Sequence, residues 1–104
     1  MKIIKNKYLV MRALKQNYNP EEAIAWSATA RELAKLTGLK ENQCNTVGLK
    51  LASENLARAI QTKKTVKSGN RIKSVPVTGF ALNRAGALEL DAMDAELLEL
   101  GVVL

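Results

Sequence analysis

Asn42, Gln43, Asn45, Thr46, Lys50 and Ser53 lie within one short stretch and are of types that recognise polar edges by paired hydrogen bonds. An Asn or Gln amide places a donor beside an acceptor, the complement of an adenine edge. Thr can touch a thymine methyl, and Lys can reach guanine or a phosphate. The plainer use of these residues is as a solvated helix face, where Asn and Gln are common. Downstream come Arg58, Lys63, Lys64, Lys67, Arg71 and Lys73 with no acid among them, crowding around Ser68-Gly69-Asn70. Six like charges in so short a span repel one another, which opposes folding unless a polyanion neutralises them. Lysines that guard an exposed strand edge are the alternative reading of that cluster. Arg31 and Lys40 add cations upstream, and Asn70 adds a polar tip.

The chemistry of catalysis is missing. There is no histidine, hence no imidazole base or metal ligand, and no metal or cofactor is expected. The lone cysteine, Cys44, can form no intramolecular disulfide and falls on a helical apolar face, where a small core residue is the natural reading. Neither a phosphate-binding loop nor a dinucleotide-binding glycine pattern occurs. Glu21 and Glu22 are neighbours that point to different sides of a helix, and capping explains them better than paired acid-base work. Trp26 and Tyr18 are too isolated for a base-stacking platform. An enzyme is not expected.

The chain of 104 residues is one domain's worth, and its 47% apolar content suits a globular protein. At 4% aromatic, its core must be filled mainly by aliphatic side chains. The net charge of +6 is segregated: residues 1–84 carry all 16 bases and half of the ten acids, whereas residues 85–104 carry the remaining acids and no base. A basic body concentrates polyanions at its surface, which makes nucleic acid the first partner to consider. No apolar run reaches the roughly 18 residues of a membrane span, and no secretory segment is legible, so the reading is cytoplasmic with no membrane partner.

The elements that must position these residues follow from periodicity. A first helix is predicted over 3–16, with Ile3, Lys7, Val10 and Leu14 on one stripe. Asn19, Pro20, Glu21 and Glu22 predict a short helical turn over 20–25. Residues 26–28 read as a short extended segment that pairs with a later strand. Thr29 and Glu32 have capping-box spacing, so a second helix runs from 30 to 37, ended by Gly38. A third helix over 41–55 buries Cys44, Val47 and Leu51, with Gly48 on the same side to permit close helix-helix approach. Residues 58–66 and 71–82 read as a β-hairpin turning at 67–70, and Pro76 indicates a free edge or a bulge in its second strand. Leu49 falls near the exposed side of the third helix unless it packs under this hairpin. Asn83 caps a last helix over about 84–99, with Leu90, Met93, Leu97 and Leu100 on one stripe.

Residues 30–49, with Ala34 where two helices approach, Gly38 at the turn and Leu39, Cys44 and Val47 as apolar anchors, resemble a helix-turn-helix motif. From Leu51 to Gly86 the chain resembles the wing and exit helix of winged-helix regulators, MarR-like ones included, and its compactness is similar to that of small phage- or plasmid-encoded regulators. Lys40 departs from the pattern where a capping Ser, Thr or Asp is usual, as does Thr37 where Val or Ile is common. The resemblance implies an α+β, mostly helical fold: a three-helix core with a β-hairpin wing over 1–83 and an additional C-terminal helix over 84–104 within one compact unit. It also implies a sequence-specific regulator of transcription, a repressor or accessory factor, bound to double-stranded DNA. Its third helix would enter the major groove, and phosphates would meet the hairpin and the lysines of the first helix. The acidic last helix would point away from DNA and either pair with a second copy through Leu90, Met93, Leu97 and Leu100 or fold back on its own core. The rival expectation is a winged helix that docks on an acidic protein partner as an inhibitor or assembly adaptor.

Overall fold

The computed structural model describes residues 5–16, 18–19, 21 and 27–101. In chain order it contains α1 (Lys5–Lys15), β1 (Ala28–Thr29), α2 (Ala30–Thr37), α3 (Glu41–Ser53), β2 (Ala57–Ser68), β3 (Arg71–Leu82) and α4 (Arg84–Leu100). The strands form one antiparallel sheet in the order β1-β3-β2. This is the predicted α+β arrangement of three helices, a hairpin and a C-terminal helix. Ile3 and Ile4, Trp26 and most of the helical turn expected over 20–25 lie outside the described residues. Just before that turn Asn19 Oδ1 accepts from the Glu21 N–H at 3.0 Å, as a capping residue should. No described helix is long and apolar enough to cross a membrane.

Local chemistry sets the boundaries of α2 and α3. The Glu32 N–H donates to Thr29 Oγ1 at 3.2 Å, and the Thr29 N–H donates to Glu32 Oε1 at 3.2 Å, so two otherwise orphaned amides at the start of α2 are satisfied. At its end Gly38 takes the left-handed conformation, φ 78°, and its N–H reaches the Ala34 carbonyl. Thr37 explains its own departure from an aliphatic residue. Its hydroxyl donates to the Leu33 carbonyl at 2.7 Å and accepts from the Leu39 N–H at 3.2 Å, tying the turn to the helix it leaves. Lys40 offers α3 no capping oxygen; instead Gln43 Oε1 reaches back to the Lys40 N–H at 3.0 Å.

One core joins all four helices to the sheet. Val10, Met11, Leu33, Cys44, Leu51 and Phe80 are fully buried, and Tyr8, Leu14, Leu90 and Met93 complete it. The anchors of α3 are Cys44, Gly48 and Leu51, with Val47 half-buried at their edge. Gly48 does not admit a neighbouring helix. The space that its missing side chain leaves is filled by the ring of Phe80 from β3, three of whose carbons would lie 2.8–2.9 Å from a Cβ at this position.

The join between the sheet and α4 is also tight. Asn83 Oδ1 accepts from the Gly86 N–H at 2.7 Å while its Nδ2 donates to the Asn55 carbonyl at 2.6 Å. A side chain at Gly86 would collide with the Leu56 carbonyl oxygen. Asn83 therefore caps α4 and holds its first turn against the exit of α3.

The stripe of α4 read as a dimer seam is largely internal. Leu90, Met93 and Leu97 are buried in the chain's own core, which corrects their assignment to a partner surface. Leu100 stays exposed, as do Leu88 and Leu98 on other sides of the helix. The stripe turns inward because α1 presents Tyr8, Val10, Met11 and Leu14 as its counterpart.

Candidate nucleic-acid interface

The side of α3 opposite its anchors is open. Asn42, Gln43, Asn45, Thr46, Lys50 and Ser53 all lie at the surface, and no acid occurs between Asn42 and Ser53. Their availability differs. The amide oxygen of Gln43 is engaged in capping. The Thr46 hydroxyl donates to the Asn42 carbonyl at 2.9 Å, and the Ser53 hydroxyl donates to the Lys50 carbonyl at 2.7 Å. Asn42 and Asn45 keep both amide groups on the open face with no side-chain hydrogen bond among the described residues. Leu49, expected under the hairpin or out of place among polar neighbours, takes the second course and is 49% exposed. The hairpin leaves it uncovered because β3 meets α3 through Phe80 at Gly48, about 100° around the helix from Leu49.

The hairpin is longer than its role in the core requires. β2 and β3 pair without interruption from Ala57↔Leu82 to Ser68↔Arg71. At about 3.3 Å per residue, twelve residues span about 40 Å, against a longest molecular dimension of 53 Å. Only the base is buried: β3 is exposed from Arg71 to Pro76 and buried from Gly79 to Leu82. β1 pairs with β3 at Gly79 and Phe80 alone, so the edge of β3 is free at Pro76, where a missing N–H costs no ladder bond.

Directly paired residues share a face, so Lys63 and Lys67 lie on one side of the wing and Arg58, Arg71 and Lys73 on the other. All five are exposed, as is Asn70 at the tip. Lys64 sits opposite Val75 in the register, with its side chain outside the described residues. The wing is therefore a rod with cations on both faces rather than one charged sheet surface.

Between the wing and the N-terminal halves of α2 and α3 runs an open groove of about 800 Å³, lined by Thr29, Arg31, Glu41, Asn42, Asn45, Thr65 and Thr78 among others. Arg31 is the cation in this lining; Glu32 and Glu41 are its acids. Sequence reasoning missed Glu41, because an acid in a first helical turn reads simply as a partner for the helix dipole. Here it also sets a negative charge beside Asn42 and Asn45. Lys40 is exposed just before it.

Two of the α1 lysines are placed otherwise than expected. Lys7 Nζ lies 3.4 Å from Glu54 and Lys15 Nζ 4.0 Å from Asp91, so both are ion-paired within the chain. The acidic α4 packs on this basic helix: Tyr8 donates a hydrogen bond of 2.5 Å to Asp94, and Arg12 lies over the Tyr8 ring at 5.6 Å. That hydrogen bond, more than burial, holds the Tyr8 phenol above its ordinary pKa of 10. Part of the charge segregation seen in the sequence is thus closed by contact between α1 and α4, while the wing keeps its exposed cations with no acid in its sequence.

An exposed helix within a helix-turn-helix, flanked by a free hairpin, has a counterpart among proteins of known structure. A PadR-like transcription factor from Bacteroides fragilis superposes over 93% of this chain and 86% of its own, with a TM-score of 0.55 and 16% sequence identity. The chain has a winged-helix fold. No family model and no curated protein matches it. The solved neighbour carries the PadR-like label rather than the MarR-like one that the sequence suggested, and at this identity it bears on the fold alone.

Proposed function

We propose that this protein is a DNA-binding regulator of transcription that sets α3 in the major groove and its hairpin along the backbone or in the adjacent minor groove. The observation that carries the reading is the juxtaposition of the polar face of α3, free of acids from Asn42 to Ser53, with a free-standing wing that holds cations and no acid. Asn42 and Asn45 have the free amides that a bidentate contact to adenine needs. Lys63, Lys67, Arg71 and Lys73 lie on both faces of the wing, which suits a rod lodged between two phosphate strands better than a plate lying on one. The PadR-like neighbour is itself described as a transcription factor, which agrees with this role.

The regulator is cytoplasmic and acts as a homodimer, whose two-fold axis would present two copies of α3 to a palindromic site. With Leu90, Met93 and Leu97 buried internally, the contact falls to the exposed Leu88 and Leu98 of α4, about 80° apart around the helix.

A gel shift with mixed genomic duplexes, run at low and at moderate salt, tests the core of this reading. Retarded complexes that weaken steeply with salt are expected. No complex even at low ionic strength would refute DNA binding and favour a winged helix that docks on an acidic protein.

A further inference from the structure

The face of α3 proposed to meet DNA is not uniformly polar. At 100° per residue, Leu49 stands near its centre, within 40° of Asn42, Asn45 and Ser53, and well away from the anchors Cys44 and Leu51. It is 49% exposed, so core packing does not explain it. Thr46, three residues earlier and on the same side, has its hydroxyl turned back to the Asn42 carbonyl at 2.9 Å. With that donor engaged inside the helix, the group Thr46 offers outward is its methyl. Leu49 and Thr46 thus make a small apolar patch bordered by the amides of Asn42 and Asn45 and by Lys50.

The inference rests on the DNA-binding reading. A leucine pressed against phosphates or base hydrogen-bonding groups would strip their water without replacing it, which opposes binding. In the major groove the one apolar group on a base edge is the C5-methyl of thymine. We infer that Leu49 and Thr46 form a methyl-reading patch that selects thymine beside the adenines read by Asn42 and Asn45. Sequence preference would then come from two chemistries on one helix face: paired hydrogen bonds at its N-terminal half and apolar contact at its middle.

Deoxyuridine isolates the effect, because uracil keeps every hydrogen-bonding group of thymine and lacks only the methyl. A random-core duplex library is enriched on the wild-type protein, and the recovered pool is resynthesised with deoxyuridine in place of thymidine. The wild type should bind the uracil pool more weakly by about fourfold per contacted methyl, the equivalent of about 0.8 kcal/mol per buried methyl group at 1.4 kcal/mol per tenfold. Leu49→Ala and Thr46→Ser should bind the thymine pool more weakly and lose most of the preference, whereas Thr46→Val, which keeps the methyl, should retain it. Both positions are exposed, so melting temperatures should stay with the wild type. Equal binding of the two pools by the wild type would overturn methyl reading and leave DNA binding intact. A Leu49→Ala protein that still separates the pools as well as the wild type would remove Leu49 from the role. Failure to enrich any duplex would take down the DNA-binding reading as well.

Discussion

The ring of Phe80 lies over the backbone of Gly48, so close that a Cβ there would sit 2.8 Å from Cζ and 2.9 Å from Cδ1 and Cδ2. This contact seats α3 on the sheet, and with it the angle between the helix and the wing. Two opposing effects decide what Gly48→Ala does. Replacing glycine inside a helix gains about 1 kcal/mol in propensity. Overpacking a rigid core costs about 1–3 kcal/mol, and the fully buried Phe80 has nowhere to move. We expect net destabilisation of up to about 2 kcal/mol in urea unfolding. Phe80→Leu should recover part of that loss in the double variant. A Gly48→Ala protein more stable than the wild type would show that the ring can yield.

Asn83 serves two elements at once, accepting from the Gly86 N–H and donating to the Asn55 carbonyl. Asn83→Ala removes both bonds and should cost about 1–2 kcal/mol, the range for a lost N-cap. Asn83→Asp keeps the acceptor and loses the donor, so it should fall between the wild type and Asn83→Ala in thermal unfolding. If Asp matched Ala, the cap would not be the bond that matters.

Base reading and phosphate attraction make separable demands. Asn45→Ala should lower affinity for a selected duplex by about 1–3 kcal/mol and leave random duplexes almost unaffected. Lys63→Ala and Lys67→Ala should weaken both duplex classes alike, each lowering the salt slope by about 0.9 for every phosphate no longer neutralised. Glu41→Gln removes a negative charge from the groove and should strengthen binding to random DNA. Fluorescence anisotropy across a salt series distinguishes these variants, and equal losses for Asn45→Ala on both duplex classes would contradict its assignment.

The Tyr8–Asp94 contact gives the fold an alkaline limit. Its hydrogen bond raises the Tyr8 phenol above its ordinary value of 10 in the folded chain, so the unfolded chain releases this proton at the lower pH. The stabilisation is therefore complete below pH 10 and disappears as pH rises through the folded-state value. Chemical denaturation across the alkaline range should show the wild type losing stability relative to Tyr8→Phe, which carries no phenol to titrate. Parallel profiles for the two proteins would remove Tyr8 from the account.

Self-association through α4 predicts a species of twice 11.4 kDa in light scattering at micromolar concentration. Leu98→Glu, at a position 84% exposed, should return it to 11.4 kDa without lowering the melting temperature. A monomer in the wild type over that range would rule out the dimer there.

Much of the architecture could be read locally. Thr29 and Glu32, Gly38 and Asn83 announce helix ends because a cap is satisfied by atoms within about four residues of chain, a distance over which sequence alone dictates geometry. The alternation and turn residues of 58–82 announce the hairpin for the same reason. The polar side of α3 was legible too, since the spacing of Cys44 and Leu51 settles which side turns inward.

What could not be read depended on partners distant in the chain. Periodicity marks Leu90, Met93 and Leu97 as a face to be covered and is silent on whether α1 or another molecule covers it. Gly48 advertises close approach without saying that Phe80 arrives. Lys7 and Lys15 of α1 look free until Glu54 and Asp91 are brought beside them, and Tyr8 meets Asp94 only across 86 residues of chain. Local hydrogen bonding and helical period were therefore determined by the sequence itself. Which apolar faces are buried, which charges remain exposed and that Leu49 stands uncovered were decided by tertiary packing, because burial and ion pairing are properties of two surfaces and a sequence displays each of them singly.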